Sequence, residues 1–182
     1  MPFCKTVIED VVIFEPRVFP DERGYFYESY NENTFKENGI TTRFVQDNQS
    51  RSTYGVLRGL HYQLPPHAQA KLVRVLSGRI LDVAVDIRRR SPTFKKWVAV
   101  ELSAENAKQI FIPRGFAHGF LVLSDTAEVF YKCDNFYNAA SNRGIAYNDS
   151  SIAVDWRIEH DKIILSSKDK ENPVFENAEI GF

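Results

Sequence analysis

Apolar and polar residues alternate with a period of two over much of this chain, which is typical of β-strands with one buried face. In segment 79–87, for example, every second residue from Leu81 onward is a branched apolar one. The alternation predicts seven strands, at 25–30, 71–76, 79–87, 97–102, 109–113, 118–123 and 128–133. We expect the second and third of these to pair as a hairpin around Ser77-Gly78, and the last two to pair as a hairpin around 124–127.

Helical patterns are few and short. Segment 31–38 predicts one helix, because an asparagine stands at its start and Gly39 directly after its end. Single turns are expected at 103–106 and at 149–155, with Trp156 as a packing anchor. Many short strands with few helices predict an all-β fold, an antiparallel sandwich or a barrel whose mouth could hold a ligand.

Composition limits the classes of function. The 182 residues contain no internal repeat or linker-like stretch, so we expect a single domain over 1–182. The 23 basic and 24 acidic residues nearly cancel, which argues against nucleic-acid or membrane partners but leaves room for one phosphorylated small molecule. Cys4 and Cys133 are too few for a disulfide scaffold, and neither a signal peptide nor a membrane-spanning run is visible. We therefore expect a cytoplasmic protein.

Two of the four histidines stand in unusual contexts. The spacing Pro113-x-Gly115-x-x-His118 matches the second half of the signature of cupins, which are small β-barrels. The first half of that signature supplies metal ligands through a His-x-His pair, but here Gln63 follows His61 at that spacing. A lysine at position 71 would also repel a cation. The sequence predicts a cupin-like double-stranded β-helix, a jelly-roll barrel, with no metal and no cofactor.

Several polar residues crowd into fourteen positions of strand-like chain: Arg58, His61, Gln63 and Lys71. Charged side chains are rarely buried without a partner, so these residues would need an anion or a polar ligand if they point into a barrel. The alternative is a structural ion-pair network, with Asp82 and Asp86 as its acidic side. For His61 alone, the competing interpretation is a hydrogen-bonded core residue.

Nine short segments run in order along nearly the whole chain: 21–26 (DERGYF), 44–48 (FVQDN), 56–63 (VLRGLHYQ), 71–74 (KLVR), 82–87 (DVAVDI), 91–94 (SPTF), 102–106 (LSAEN), 112–120 (IPRGFAHGF) and 167–169 (SKD). Together they closely resemble the dTDP-4-dehydrorhamnose 3,5-epimerase family, cupin-fold enzymes of dTDP-L-rhamnose synthesis. Any one segment alone would be a weak signal.

The resemblance implies conversion of dTDP-4-dehydro-6-deoxy-D-glucose to dTDP-4-dehydro-L-rhamnose. The C–H bonds at C3 and C5 flank a ketone, so loss of a proton gives an enolate, and inversion returns a proton to the opposite face. The resemblance makes His61 the base and Asp169 the partner that orients it. It makes Tyr131 the acid and Lys71 the stabiliser of the oxyanion. The competing interpretations are a surface aromatic for Tyr131 and a solvated strand lysine for Lys71.

The resemblance also implies a substrate-binding shell. It assigns the diphosphate and nearby groups to Arg23, Arg58 and Lys168, the thymine to stacking on Phe26 and Tyr137, and further contacts to Glu28, Gln46, Asn48 and His118. An equal alternative for His118 is a structural remnant of the cupin motif. In the family the N-terminal strands cross to the neighbouring subunit, so Arg23, Phe26 and Glu28 would act in trans within a homodimer.

One loop departs from the family pattern. After the pair 136–137 the family usually has Glu-Gly, whereas segment 138–144 reads NAASNRG here, with Arg143 before the glycine. The family glutamate is therefore not carried over, and the contacts of this loop stay open.

Three other functions compete with the 3,5-epimerase. The first is an epimerase acting at C3 alone or on a related nucleotide-linked 4-keto sugar, because small changes in a pocket decide which C–H bond reaches the base. The second is a metal-dependent cupin oxygenase or isomerase. The third is a sugar-nucleotide binding module without catalysis.

Overall fold

Two antiparallel sheets face each other in the computed structural model, which describes residues 2–182. The first sheet contains, in spatial order, β1 (Phe3–Lys5), β2 (Val12–Phe14), β10 (Gln109–Ile112), β7 (Lys71–Ser77), β12 (Thr126–Cys133) and β5 (Gln46–Thr53). The second contains β13 (Asn142–Gly144), β6 (Leu57–Gln63), β11 (Phe116–Val122), β8 (Arg79–Asp86) and β9 (Trp97–Ser103). This arrangement confirms the all-β, cupin-like jelly-roll prediction.

The helices are short, as the sequence indicates. Helix α1 (Glu32–Glu37) begins where the Asn31 side chain accepts hydrogen bonds from the amides of Asn33 and Thr34. Its one buried residue, Phe35, packs into an aromatic cluster beside the first sheet. The other helical elements are α2 (Ser167–Lys170) and the 3-10 turns Ala139–Ser141, His160–Lys162 and Phe175–Asn177. None of the helices in residues 2–182 has the length and apolar character needed to cross a membrane.

The two predicted hairpins are wrong. Strands β7 and β8 lie in opposite sheets, and so do β11 and β12. The backbone at Gly78 takes a φ of +78°, and a side chain there would collide with the carbonyl of Thr126, so the two corners pack directly on each other. A local turn pattern specifies a reversal of the chain, but it does not specify whether the returning strand stays in its sheet or crosses to the facing one.

The early strand is shorter than predicted. Of the predicted strand 25–30, only Tyr25 and Phe26 form strand structure, as part of β4 (Gly24–Phe26). Strand β4 pairs with β3 (Phe19–Asp21) in a separate, exposed two-stranded ribbon. Conversely, β5 and β6 are strands that the alternation did not identify. Strand β5 reads QDNQSRST and lies at the edge of its sheet. Because all its residues are polar, it shows no alternation of apolar and polar positions.

Strand β8 is buried on both faces. Leu81, Val83 and Val85 face a cluster formed with the C-terminal segment 145–182, while Ile80 and Ala84 face the space between the sheets. The C-terminal segment is tied to the start of β6, because Leu57 donates a 2.9 Å hydrogen bond to the carbonyl of Ile164. The segment therefore closes the outer side of the second sheet.

Asp86, at the end of β8, is the centre of a structural polar cluster. Its buried carboxylate accepts hydrogen bonds from Arg88 at 2.7 Å, Ser91 at 2.5 Å and Thr93 at 2.6 Å. Burial opposes ionisation of this carboxyl, but those hydrogen bonds outweigh it and lower its pKa to about 2. The structural ion-pair interpretation thus holds for Asp86, with Arg88 as its partner rather than the polar residues of 58–71.

We expect the variant Asp86→Asn to lose about 2 kcal/mol of stability at pH 7. Because the folded pKa lies below the ordinary value, this contribution is complete at neutral pH and is lost as the pH falls from about 4 toward 2. Urea denaturation of the wild type and the variant should give a stability difference at pH 3 of roughly half that at pH 7. A difference independent of pH would contradict the assignment.

Candidate active site

A pocket of about 330 Å³ opens between the two sheets. Seven of the predicted site residues line it: Arg58, His61, Lys71, His118, Tyr131, Lys168 and Asp169. All four predicted catalytic residues are therefore in one cavity, although they come from three strands and a short helix. Within residues 2–182, no three histidine, cysteine, aspartate or glutamate side chains form a group that could hold a metal ion.

A bulge in β6 lets two residues of the same strand face this pocket. Residues three apart on a regular strand point to opposite sides of the sheet. Here His61 pairs with His118, and Arg58 pairs with Phe120. The two pairs are therefore three residues apart on β6 but only two residues apart on β11. The extra residue turns Arg58 and His61 to the same face. At the bulge Gly59 has a φ of +143°, and its Cα passes close to Gly119.

The imidazole of His61 is paired with a carboxylate. Its Nε2 lies 2.5 Å from Oδ1 of Asp169, whose side chain is 5% exposed, whereas that of His61 is 33% exposed. Burial opposes ionisation of Asp169, but the hydrogen bond and the charge interaction with His61 outweigh it and lower the pKa of the carboxyl. An ionised Asp169 accepts the Nε2–H hydrogen bond, which leaves the lone pair of His61 on Nδ1.

Asp169 reaches His61 because the C-terminal segment folds back across β6. The Ser166 hydroxyl caps α2 by accepting a 3.1 Å hydrogen bond from the amide of Asp169. Just after the helix, Asn172 packs against Gly144 of β13, where no side chain would fit. These contacts bridge the 108 positions between His61 and Asp169.

A second imidazole–carboxylate pair lies deeper in the barrel. His118 Nε2 is 2.9 Å from Oδ2 of Asp82, and His118 Nδ1 is 3.4 Å from the ammonium of Lys71. Burial lowers the pKa of His118 and that of Lys71, while the charge of Asp82 acts in the opposite direction on both. Sequence reasoning missed Asp82 as a site residue. Its signal was a carboxylate in the middle of an apolar run, between Leu81 and Val83.

Tyr131 stands across the pocket from His61. It belongs to β12 of the first sheet, whereas His61 belongs to β6 of the second. Burial raises the pKa of Tyr131, so its hydroxyl is protonated at neutral pH. The ammonium of Lys71 lies 5.9 Å from the centre of the Tyr131 ring. The two walls of the pocket thus present an imidazole on one side and a phenol on the other.

Three predicted binding residues lie next to one another outside the pocket lining. Asn48 pairs with Tyr131 across β5 and β12, and its side chain accepts a 3.1 Å hydrogen bond from Gln46. The side-chain oxygen of Gln46 accepts a 3.0 Å bond from the amide of Tyr137, whose ring is exposed. These contacts connect the predicted shell to the strand that carries Tyr131.

The N-terminal candidates do not reach the pocket within one chain. Arg23 is 88% exposed and forms its ion pair with Asp21, in the same ribbon. Phe26 is also exposed, and Glu28 follows it along the chain.

The divergent loop 138–144 is anchored beside the site. Asn138 caps its 3-10 turn, Ser141 lies 2.8 Å from a ring nitrogen of His67, and Arg143 forms an ion pair with Glu179. The loop continues into β13, which pairs with β6. Sequence reasoning missed several pocket-lining residues. Ser50, Asn142 and Ser166 carry no charge and lie outside the nine matching segments, and Phe120 is the uncharged last residue of one of them.

A cupin-like barrel with a histidine–carboxylate pair and a tyrosine on opposite walls defines a class of protein suited to proton transfer at a bound small molecule. The chain belongs to the dTDP-4-dehydrorhamnose 3,5-epimerase family, whose family model matches residues 5–177. This match confirms the resemblance inferred from the sequence.

Relatives match over nearly the full length. The dTDP-4-dehydrorhamnose 3,5-epimerase of Shigella flexneri is 57% identical over 180 residues, 98% of each chain. The crystal structure of the enzyme of that name from Elizabethkingia anophelis superposes with a TM-score of 0.92 at 57% identity, covering 96% of both chains. A dTDP-6-deoxy-D-glucose-3,5-epimerase from Legionella pneumophila, in complex with dTDP-4-keto-L-rhamnose, gives a TM-score of 0.92 at 50% identity, covering 96% of this chain and 93% of that one.

The β6 bulge can be tested by adding one methyl group. An ideal Cβ at Gly59 would lie 2.5 Å from the Cα of Gly119, whereas a Cβ at Gly24, with a similar φ of +132°, meets nothing within 4 Å. Both alanine variants lose stability because the φ is unfavourable for a residue with a Cβ, but only Gly59→Ala also makes the Cβ collide with backbone. We expect Gly59→Ala to lose roughly 1–3 kcal/mol more than Gly24→Ala in urea denaturation. Equal losses would show that the close approach of β6 and β11 is not required.

Proposed function

We propose that this chain inverts C3 and C5 of dTDP-4-dehydro-6-deoxy-D-glucose to give dTDP-4-dehydro-L-rhamnose. The observation that carries the proposal is the placement of His61, with Asp169, and of Tyr131 on opposite sheets around one pocket. Inversion at carbon needs proton removal on one face and proton delivery on the other. The names of the relatives and the keto-sugar nucleotide in the Legionella structure support this class of substrate.

In the proposed reaction, Nδ1 of His61 removes the proton from the carbon beside the C4 ketone. The C–H electron pair moves into the ring, and an enolate with its negative charge on O4 results. Asp169 stabilises the imidazolium that forms, because the carboxylate is already in hydrogen-bond contact with Nε2.

Lys71 stabilises the enolate. Its ammonium lies in the pocket, close to the ring of Tyr131 and within reach of His118. A cation held where negative charge develops lowers the barrier most when water is excluded, because the local dielectric is low. Tyr131 then donates its hydroxyl proton to the opposite face of the carbon. Solvent afterwards returns a proton to the phenolate and removes one from the imidazolium, and the cycle repeats at the second carbon.

The nucleotide would extend from the pocket toward the exposed rim. Arg58 and Lys168 supply positive charge at the pocket for the diphosphate. Gln46 and Asn48 supply polar groups beside Tyr131, and the exposed ring of Tyr137 would stack on the thymine.

We also propose a homodimer in which the N-terminal ribbon completes the partner's site. A two-stranded ribbon is marginally stable by itself, and this one exposes Phe19, Tyr25 and Phe26. Docking on a second copy would cover these rings and bring Arg23 and Glu28 to the neighbouring nucleotide. Each copy folds 1–182 as one domain in this proposal, since the C-terminal segment supplies Asp169. The two unpaired cysteines are in keeping with a cytoplasmic location.

Deuterium exchange tests the reaction directly. With dTDP-4-dehydro-6-deoxyglucose in D₂O, proton NMR should show the wild type introducing deuterium at C3 and C5. His61→Ala should slow exchange at both carbons by about 10²–10⁴-fold, while Tyr131→Phe should retain exchange but lose inversion. The exposed His160 provides the matched control, because His160→Ala should exchange at the wild-type rate.

Full exchange by His61→Ala would remove His61 from the mechanism, and full inversion by Tyr131→Phe would remove Tyr131. Deuterium at C3 alone in the wild type would identify a C3 epimerase. No exchange in the wild type would point to another nucleotide sugar or to another class of function.

The dimer is tested by complementation. We expect Arg23→Ala and His61→Ala each to be poorly active, and co-expression of the two to restore about a quarter of the sites, because random pairing gives half heterodimers with one complete site each. If the ribbon acts on its own chain, co-expression restores nothing. Sedimentation of the wild type supplies the independent check, and a monomer would contradict the proposal.

A further inference from the structure

We propose that Asp82, a buried carboxylate with no part in the reaction scheme above, is a positioning residue for Lys71. It fixes the ring of His118 with Nε2 protonated, so that Nδ1 accepts a hydrogen bond from the ammonium of Lys71 and holds that ammonium at the pocket. This inference rests on the proposed function, in which Lys71 stabilises the enolate.

The three side chains form a continuous contact across the barrel. Asp82 lies on β8 and His118 on the neighbouring β11, 2.9 Å apart between Oδ2 and Nε2. Lys71 approaches from β7 of the facing sheet, with its Nζ 3.4 Å from Nδ1 of His118. The Asp82 side chain is 0% exposed and that of His118 is 7% exposed. Water therefore does not compete for the contact between Asp82 and His118.

The chemistry of the donors determines the tautomer. An ammonium has only donors, so the ring nitrogen that faces Lys71 must offer a lone pair. The other ring nitrogen then carries the hydrogen and donates it to Asp82. Without a carboxylate at that end, the ring could carry its hydrogen on Nδ1, and two donors would then face each other at Lys71. The burial of His118, which lowers its pKa, agrees with a neutral ring.

Asp82 also acts on Lys71 through its negative charge. Burial disfavours the ammonium form of Lys71, and the Asp82 carboxylate beyond the ring favours it. A neutral imidazole between an anion and a cation transmits this interaction without adding charge to the pocket.

A purely structural role explains Asp82 poorly. Its Oδ1 is buried and has no hydrogen-bond partner among residues 2–182, although buried polar atoms in native proteins are nearly always paired. Asp86, four residues along the same strand and on the same face, provides the contrast, because hydrogen bonds reach both of its oxygens. Both oxygens of Asp86 accept hydrogen bonds within its own cluster, whereas Asp82 makes its single hydrogen bond to His118.

The kinetic test is a double-mutant cycle between Asp82→Asn and Lys71→Met. We expect Asp82→Asn to lower kcat by about 10–100-fold, with the affinity for dTDP unchanged. In the Lys71→Met background, the same substitution should change kcat by less than about twofold, because Asp82 acts through Lys71. Asp86→Asn is the matched control and should keep the wild-type kcat despite its lower stability. Additive losses, or a wild-type kcat in Asp82→Asn, would overturn the proposal.

The tautomer can be measured without turnover. In substrate-free protein labelled with ¹⁵N-histidine, the signals of His118, assigned with His118→Asn, should show a protonated Nε2 and a bare Nδ1. A protonated Nδ1 in the wild type would overturn the proposal even if the enzyme is active. Failure of the proposed function is seen separately, as absence of deuterium exchange by the wild type.

Discussion

Ionisable groups lie between two largely apolar sheets, where each of them needs a partner to keep its charge or its hydrogen bonds. Burial opposes the ionised form of Asp169 and of Lys71 alike. The carboxylate is compensated by His61 in direct contact, and the ammonium by His118 and the charge of Asp82. Because the partners are supplied by the fold, these groups are oriented before any substrate arrives, which is the condition for electrostatic stabilisation of a charged intermediate.

Consecutive strands cross from one sheet to the other, and this crossing brings the pocket-lining side chains in from two opposite walls. The corner at Gly78 sends β7 and β8 into opposite sheets, and the corner at 123–125 does the same for β11 and β12. As a result Lys71 and Tyr131 approach the pocket from one side, and His61 and His118 from the other. If the corners were hairpins, these groups would alternate along one sheet and could not surround a sugar ring.

The alternation of residues is enough to locate most of the central strands within one or two positions, because each has a face in the core. It cannot identify the partners of a strand, which are chosen by packing between segments far apart in the chain. It also cannot show that Arg58 and His61 share a face, since a regular period of two places them on opposite sides and only the bulge reverses that. Asp169 was found through the family resemblance alone, because its contact with His61 spans 108 positions.

The two imidazole–carboxylate pairs of this barrel are chemically alike and differ in their access to water. His61 is 33% exposed, so it can exchange a proton with substrate and afterwards with solvent. His118 is almost completely buried between Asp82 and Lys71, with both ring nitrogens engaged. A ring that must pick up and release protons in every turnover requires a free nitrogen and a route to solvent, and of these two rings His61 alone has both. In the proposed function, the same pair of residue types therefore serves proton transfer where water has access and fixed orientation in the interior.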